Sequence, residues 1–400
     1  MADGTGVAAE RMGLLPDYFF AMWAEKVQAA AVALKGRGLS VIRMDAGSPD
    51  LPPHPDVVAA LVRVAEDPGA HGYQPFGGTL AYKQAWADYY ARRFGVTLDA
   101  GTQVEGLMGS KEGVFHFPMA VVNPGDVVLV PNPGYAPYER GARFVGAEVV
   151  EMPLLAENGF LPDLCAIPSD IARRARLMWL NYPNNPTGAV ATPAFFAEVV
   201  AFARAHDVLV AHDAPYMDVT FEGYRAPSIL ETPGAVDVAV EFNSMSKTYN
   251  MAGWRLGAAV GNPAAVRALQ TLKSNIESGQ FAGMLEAGRV ALGLDEGWLA
   301  ERNAIYARRR DWVLDGLAGT GLVGERVQAS LYVWLKLPDG VGDSLGYCTR
   351  LLETTGVSVT AGSAFGRAGE GFVRVSLGTG DGLLQEAVAR WRAWAMEVRG

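Results

Sequence analysis

"SMSKTYNMAGWR", residues 244–255, places Lys247 among small hydroxyl residues and follows it with Arg255. Two readings compete for it: a turn carrying two solvated cations, or a lysine nucleophile beside a bound anion. The surrounding chain has to decide between them.

Short apolar or β-branched runs flank the stretch and recur before it: "DVVLVP" (126–131), "RLMWLNYP" (176–183), "VLVAHDAP" (208–215), "VAVEFNSM" (238–245) and "LGAAVG" (256–261). Between two of them, "PAFFAEVVAFARAHD" (193–207) carries apolar residues at three-to-four spacing, the mark of a helix. Strand, helix, strand in alternation predicts an α/β fold with a mainly parallel sheet covered by helices on both faces. Ligands of such sheets bind beyond the carboxyl ends of the strands. That directs attention to Asn181–Gly188, Asp213–Tyr216 and Ser244–Lys247.

After about residue 290 the pattern changes to an arginine-rich helical stretch, then "SLYVWLKLP", a helix, "VSVTAG", "GFVRVSLG" and a closing helix at 381–398. This reads as a smaller α+β domain joined by the N-terminal segment. The expected division is 1–50 as N-terminal arm and part of the small domain, 51–290 as the large domain and 291–400 as the small one.

The chain has 400 residues, half of them hydrophobic, enough for a large core. Its 34 Lys and Arg against 43 Asp and Glu leave a net charge of −9. That argues against a nucleic-acid or anionic-membrane partner, which would call for a basic face. Cys165 and Cys348 form neither a disulfide framework nor a metal-ligand cluster, so no metal is expected and a reducing, cytoplasmic setting fits. No apolar run reaches the ~18 residues of a membrane span.

Taken singly, the motifs are ambiguous. Asp213 in "AHDAPY" could cap a turn, and Tyr216 could be core. "NYPNNPTG" (181–188) is rich in turn formers. "GSKEGVFH" (109–116) reads as a helix start capped by Ser110, with Glu112 in the first turn and Lys111 solvated. Taken together, in this order and from "DAGSPDLP" (45–52) to "FVRVSLG" (372–378), they resemble the class I/II, fold type I aminotransferases that depend on pyridoxal 5'-phosphate. The spacing of Asn185, Asp213, Tyr216, Lys247, Arg255 and Arg374 carries the resemblance.

The resemblance implies a three-layer αβα large domain and a role for each motif. An amine on a flexible stem can join an aldehyde as a Schiff base and then shuttle a proton, which arginine cannot do, so Lys247 matches the cofactor-bearing lysine and general base. Asp213 matches the carboxylate that keeps the pyridine nitrogen protonated. Asn185 and Tyr216 match donors to the ring's phenolic oxygen, and Tyr135 in "PNPGYAPY" the aromatic stacked on the ring. Ser110 and Lys111 at a helix start, with Ser244, Ser246 and Arg255, match the phosphate ligands. The hydroxyls and the second cation of the opening stretch are thereby explained.

Arg374 in "FVRVSL" matches the planar donor that grips the substrate α-carboxylate, with Gly47 closing over it. Tyr73 in "HGYQPFGG" matches a tyrosine that reaches the phosphate held by the other subunit, which implies a homodimer with shared active sites. A cis Asn185–Pro186 bond is also expected by resemblance.

Within the family, "NYPNNPTGAV", "SMSKTYNMAGWRLGAAVGNP" and "LKSNIESGQF" most resemble the bacterial LL-diaminopimelate and aspartate aminotransferase-like group. The expected reaction moves the α-amino group of an L-amino acid to a 2-oxo acid, with 2-oxoglutarate as acceptor and aspartate, glutamate or LL-diaminopimelate as candidate donors. Where that group carries a glutamate for a distal ammonium, this chain has Gln74, Pro75, Phe76 and Gly77. Lys111 matches a lysine that meets a distal carboxylate, so a dicarboxylic donor is favoured. Asn275 and Glu277, in a loop expected to cross into the partner subunit, are alternative distal contacts or a solvated helix end. A C–S β-lyase on the same fold would use the same Lys247 and Asp213.

Overall fold

The computed structural model describes residues 6–399; the first five residues of the expected N-terminal arm and Gly400 lie outside the described residues. The strands are β1 Ile42–Arg43, β2 Val104–Leu107, β3 Val127–Asn132, β4 Glu148–Pro153, β5 Ala175–Asn181, β6 Leu209–Asp213, β7 Ala239–Ser244 and β8 Gly257–Gly261. They continue with β9 Val323–Gly324, β10 Tyr332–Lys336, β11 Val357–Ser358, β12 Thr360–Ala361 and β13 Phe372–Ser376.

Seven of them form one sheet in the order β2-β8-β7-β6-β5-β3-β4. Pairing is parallel from β4 through β7, and antiparallel where β8 meets β7 and β2. β3 and β7 are buried at every position, which explains why they read as apolar runs: helices cover both faces. The five expected runs are five of these strands. β2 and β4 escape the pattern for physical reasons. β2 is four residues long and includes Gly106, where a Cβ would lie 2.4 Å from the Gly77 carbonyl oxygen. β4 is a partly exposed edge strand carrying two glutamates.

The helix Pro193–His206 begins where proline belongs, with the Thr192 hydroxyl accepting from the Phe195 amide, and ends on Asp207 at φ 55°. It buries Phe195, Phe196, Val199, Val200 and Ala203 against the sheet.

A second core gathers Trp23, Leu34 and Ile42 from the N-terminal side with Val333, Val373 and Trp391 from the C-terminal side. Ile42 pairs in parallel with Val357, which joins the N-terminal segment to the later α+β region. The helix Glu296–Gly316 serves both cores: Trp298 and Leu299 pack on the large sheet's core, Tyr306 and Val313 in the second. No helix among the described residues is long and apolar enough to cross a membrane.

Three neighbouring strands end together: β5 at Asn181, β6 at Asp213 and β7 at Ser244, with Asn181 directly opposite Asp213. Their carboxyl ends open into a cavity of about 400 Å³.

Candidate active site

Asp213 and Lys247 face this cavity from adjacent strand ends. Lys247 follows β7 in the short helix Met245–Thr248, where the Ser244 hydroxyl accepts from the Ser246 amide. Its Nζ donates to the Gly47 carbonyl oxygen. Burial pulls the Lys247 ammonium below its ordinary value, and Arg374 and Arg255 push the same way against Tyr332 and Asp213.

Asp213 is buried, and its Oδ2 accepts a 2.6 Å hydrogen bond from the Tyr138 hydroxyl. Its Oδ1 is buried without a partner among the described residues. Burial raises the carboxyl to about 6, with Tyr138, His212 and Lys247 opposing.

Arg255, at φ 57°, turns into the cavity beside the start of the helix Ser110–Val121. Its guanidinium donates to the Ala252 and Met108 carbonyls at 2.9 and 3.3 Å. Gly109, at φ 75°, is required there: a Cβ would lie 2.2 Å from Arg255 Nη2. Gly109 is also the N-cap, and the helix begins at Ser110 with no side-chain cap, which corrects the expectation that Ser110 caps it. Glu112 reaches back instead to the Met108 amide, just before the N-cap, at 3.2 Å. Ser110, Lys111, Ser244 and Ser246 complete this polar end of the cavity.

At the other end lies Arg374, 3% exposed. It donates to Asn185 Oδ1 at 2.8 Å and the Asp45 carbonyl at 2.9 Å, and its Cζ lies 4.1 Å from the Tyr332 ring centroid. Nε has no partner, and no carboxylate pairs with this arginine among the described residues. An unpaired buried cation is costly, so the arrangement suits an anionic ligand. Tyr216 shares a 3.0 Å hydroxyl contact with Tyr332, whose own hydroxyl occupies the space a Cβ on Gly47 would need, 2.3 Å away. Despite burial, Arg374, Lys247 and the Tyr216 hydrogen bond hold the Tyr332 phenol below its ordinary value.

The expected residues Gly47, Ser110, Lys111, Tyr135, Asn185, Asp213, Tyr216, Ser244, Ser246, Lys247, Arg255 and Arg374 thus share one cavity. Tyr73 does not reach it and stands 94% exposed on its own chain. The Asn185–Pro186 bond is cis. Lys111 is exposed, and its Nζ also lies 4.4 Å from the Tyr18 ring centroid. Within its own chain Glu277 is held, together with Glu112, by the buried Lys273. Asn275 donates to the Thr271 carbonyl.

Sequence reading missed Tyr18, Tyr138 and Tyr332, which line the same cavity. Tyr138 lies three residues after Tyr135, in the first turn of the helix Pro137–Phe144, and that closeness is its local signal.

The site fits pyridoxal phosphate on its own chemistry. The partnerless Asp213 Oδ1 is an acceptor awaiting a donor such as a protonated pyridine nitrogen, and the glycine-shaped cup at Gly109 and Arg255 offers a helix start, hydroxyls and a cation to a phosphate.

The family model described as Aminotransferase class I and II matches residues 40–390. The LL-diaminopimelate aminotransferase of Syntrophobacter fumaroxidans is 48% identical over 386 residues, covering 96% of this chain and 98% of that protein. The protein of the same name from Moorella thermoacetica is 47% identical, covering 96% and 97%. Among solved structures, substrate-bound BacF from Bacillus subtilis superposes with a TM-score of 0.91 at 36% identity, covering 97% of this chain and 98% of that one.

Proposed function

This chain belongs to the class I and II aminotransferases, and on that premise we propose that it moves the α-amino group of LL-diaminopimelate to 2-oxoglutarate. The observation that carries the choice of donor is the full-length identity to two LL-diaminopimelate aminotransferases. As members of this family do, it uses pyridoxal phosphate, which when bound supplies an electron-withdrawing ring for removal of the α-proton.

The chain's own residues divide the work. Asp213, through its free Oδ1, would hold a proton on the pyridine nitrogen, and Tyr138 and burial would orient it. Ser110, Lys111, Ser244, Ser246 and Arg255 would bind the phosphate, while Tyr135 would pack on the ring. Arg374 and Asn185 would grip the α-carboxylate, with Gly47 closing over it, a charge-assisted task matched by the buried fork. Lys247, its ammonium eased toward the neutral amine by burial, would move the proton at Cα. Asn185 and Tyr216 would set the polarity at the ring oxygen.

The homodimer reading is supported by exposed apolar residues that follow Tyr73 in the chain: Phe76 is 50% exposed and Leu80 67%. In that dimer Tyr73 would reach the partner's phosphate site.

A second reading, a dicarboxylic donor such as aspartate or glutamate, is favoured by one observation. No carboxylate lies in the loop 74–77, Glu277 is engaged by Lys273 within its own chain, and Asp213 is the one carboxylate among the described residues lining the cavity, so this chain's side of the pocket offers a distal ammonium no free carboxylate. Lys111 suits the distal carboxylate of either donor. Comparing kcat/KM for LL-diaminopimelate, aspartate and glutamate with 2-oxoglutarate decides the point. A higher value for LL-diaminopimelate supports the first reading, and a higher value for aspartate or glutamate replaces it.

A further inference from the structure

The helix Glu296–Gly316 carries three side chains on one face, Arg302, Tyr306 and Arg309, at the i, i+4, i+7 spacing that stacks residues along a helix. The Tyr306 ring lies between the two guanidiniums, with centroid distances of 6.0 Å to Arg302 and 5.5 Å to Arg309. All three are buried. The two arginines end in different places. Arg302 Nη1 donates to the carbonyl of Lys247 at 2.6 Å and to that of Thr248, and Nη2 donates to the Asp218 carbonyl at 2.7 Å. Arg309 grips both oxygens of Asp50 at 2.7 and 3.0 Å and donates to the Leu377 carbonyl at 3.0 Å.

Asp50 follows Gly47 by three residues, and Gly47 accepts from the Lys247 amine. One rigid helix therefore holds both ends of the Lys247–Gly47 contact: Arg302 the main chain of the lysine, Arg309 the segment it touches. Among the described residues Arg302 has no carboxylate hydrogen-bond partner; Nη1 serves main-chain carbonyls of the helix Met245–Thr248, and Nη2 serves the Asp218 carbonyl and Asn303 Oδ1. A buried cation without an anion is a poor way to gain stability, since an apolar side chain of similar volume does as well or better. What it supplies is a fixed geometry.

We propose that Arg302 is a positioning residue for Lys247, and that the Arg302–Tyr306–Arg309 stack ties the reach of the lysine amine to the placement of the 45–50 segment. The inference rests on Lys247 being the proton-moving lysine of the proposed function.

The test is hydrogen–deuterium exchange of the holoenzyme with peptide resolution, alongside steady-state kinetics, for Arg302→Met, Arg302→Lys and Tyr306→Leu. For Arg302→Met, exchange rises in peptides over 245–250 and also over 45–50, which Arg302 does not touch, while β3 stays protected. The kcat falls about 10- to 100-fold, the scale for a misplaced reacting group, with KM for the amino donor changed far less. Arg302→Lys recovers part of kcat. Exchange that rises uniformly, or that leaves 45–50 unchanged, or a kcat that stays native, overturns the proposal. Should Arg302→Met fail to fold, Tyr306→Leu decides: it leaves the Arg302 donors in place, and unaltered exchange at 45–50 counts against the stack. Loss of the cofactor bond in Lys247→Ala checks the underlying reading separately. If that variant keeps a covalent cofactor, the proposed function fails; if it loses it while Arg302→Met behaves as native, only this inference fails.

Discussion

The Tyr138 hydroxyl donates to Asp213 Oδ2 at 2.6 Å and leaves Oδ1 of the same carboxylate without a partner. One oxygen is fixed so that the other can serve a ligand. The hydrogen bond favours the ionised carboxylate, opposing the burial that raises it to about 6. Tyr138→Phe should therefore shift the acidic limb of the kcat/KM profile to higher pH while leaving the fold intact. An unmoved limb, measured between pH 5 and 8, would assign Tyr138 to packing alone.

Asp213→Asn should separate stability from catalysis. A carboxyl whose folded pKa is raised from 3.8 to about 6 binds more protons folded than unfolded between those values, so the cofactor-free protein loses stability as pH rises through that window. Two units at about 1.4 kcal/mol each cap the effect near 3 kcal/mol. The Asn variant should thus be more thermostable than the native apo-protein at pH 7 and equal to it near pH 4, yet catalytically crippled. Thermal melts at the two pH values, with turnover, check both halves.

Arg374→Ala removes a buried fork with no carboxylate of its own among the described residues. Charged hydrogen bonds contribute roughly 1.5–3 kcal/mol, so KM for the amino donor should rise about 10- to 100-fold. An unchanged KM for every donor tested would remove Arg374 from the carboxylate site.

Lys247→Ala should abolish the covalent cofactor adduct that borohydride fixes in the native enzyme. Intact-mass measurement after reduction reads this directly, and a retained adduct would move the assignment to another lysine.

The distal end of the substrate pocket is tested with Lys111→Ala and Glu277→Gln. Lys111 lines the cavity over Tyr18, so its loss should lower kcat/KM for any donor with a distal carboxylate. Glu277 is bound by the buried Lys273, so its amide variant should loosen the Lys273–Glu112 pair, seen as a lower Tm, with the donor preference unaltered. A preference for LL-diaminopimelate that vanishes in Glu277→Gln would mean that Glu277 leaves Lys273 to meet a substrate ammonium.

Much was legible in the sequence by itself. Apolar runs alternating with helical periods determined a parallel α/β sheet, because strands buried on both faces must be apolar throughout. The residues at the ends of those runs, Asn181, Asp213 and Ser244, are thereby marked as neighbours by the sequence alone. Turn chemistry and glycine spacing are local, and local signals survive in a linear string. What only the tertiary structure decided is which distant groups satisfy one another. Tyr138 meets Asp213 across 75 residues, Arg302 meets the Lys247 carbonyl across 55, and Lys273 meets Glu112 across 161. A buried polar group must find a partner, but nothing in the string says which one, because the choice is made by the packing of elements that desolvate both at once. The tertiary structure likewise set Glu277 against the buried Lys273 and aligned Arg302 behind Lys247.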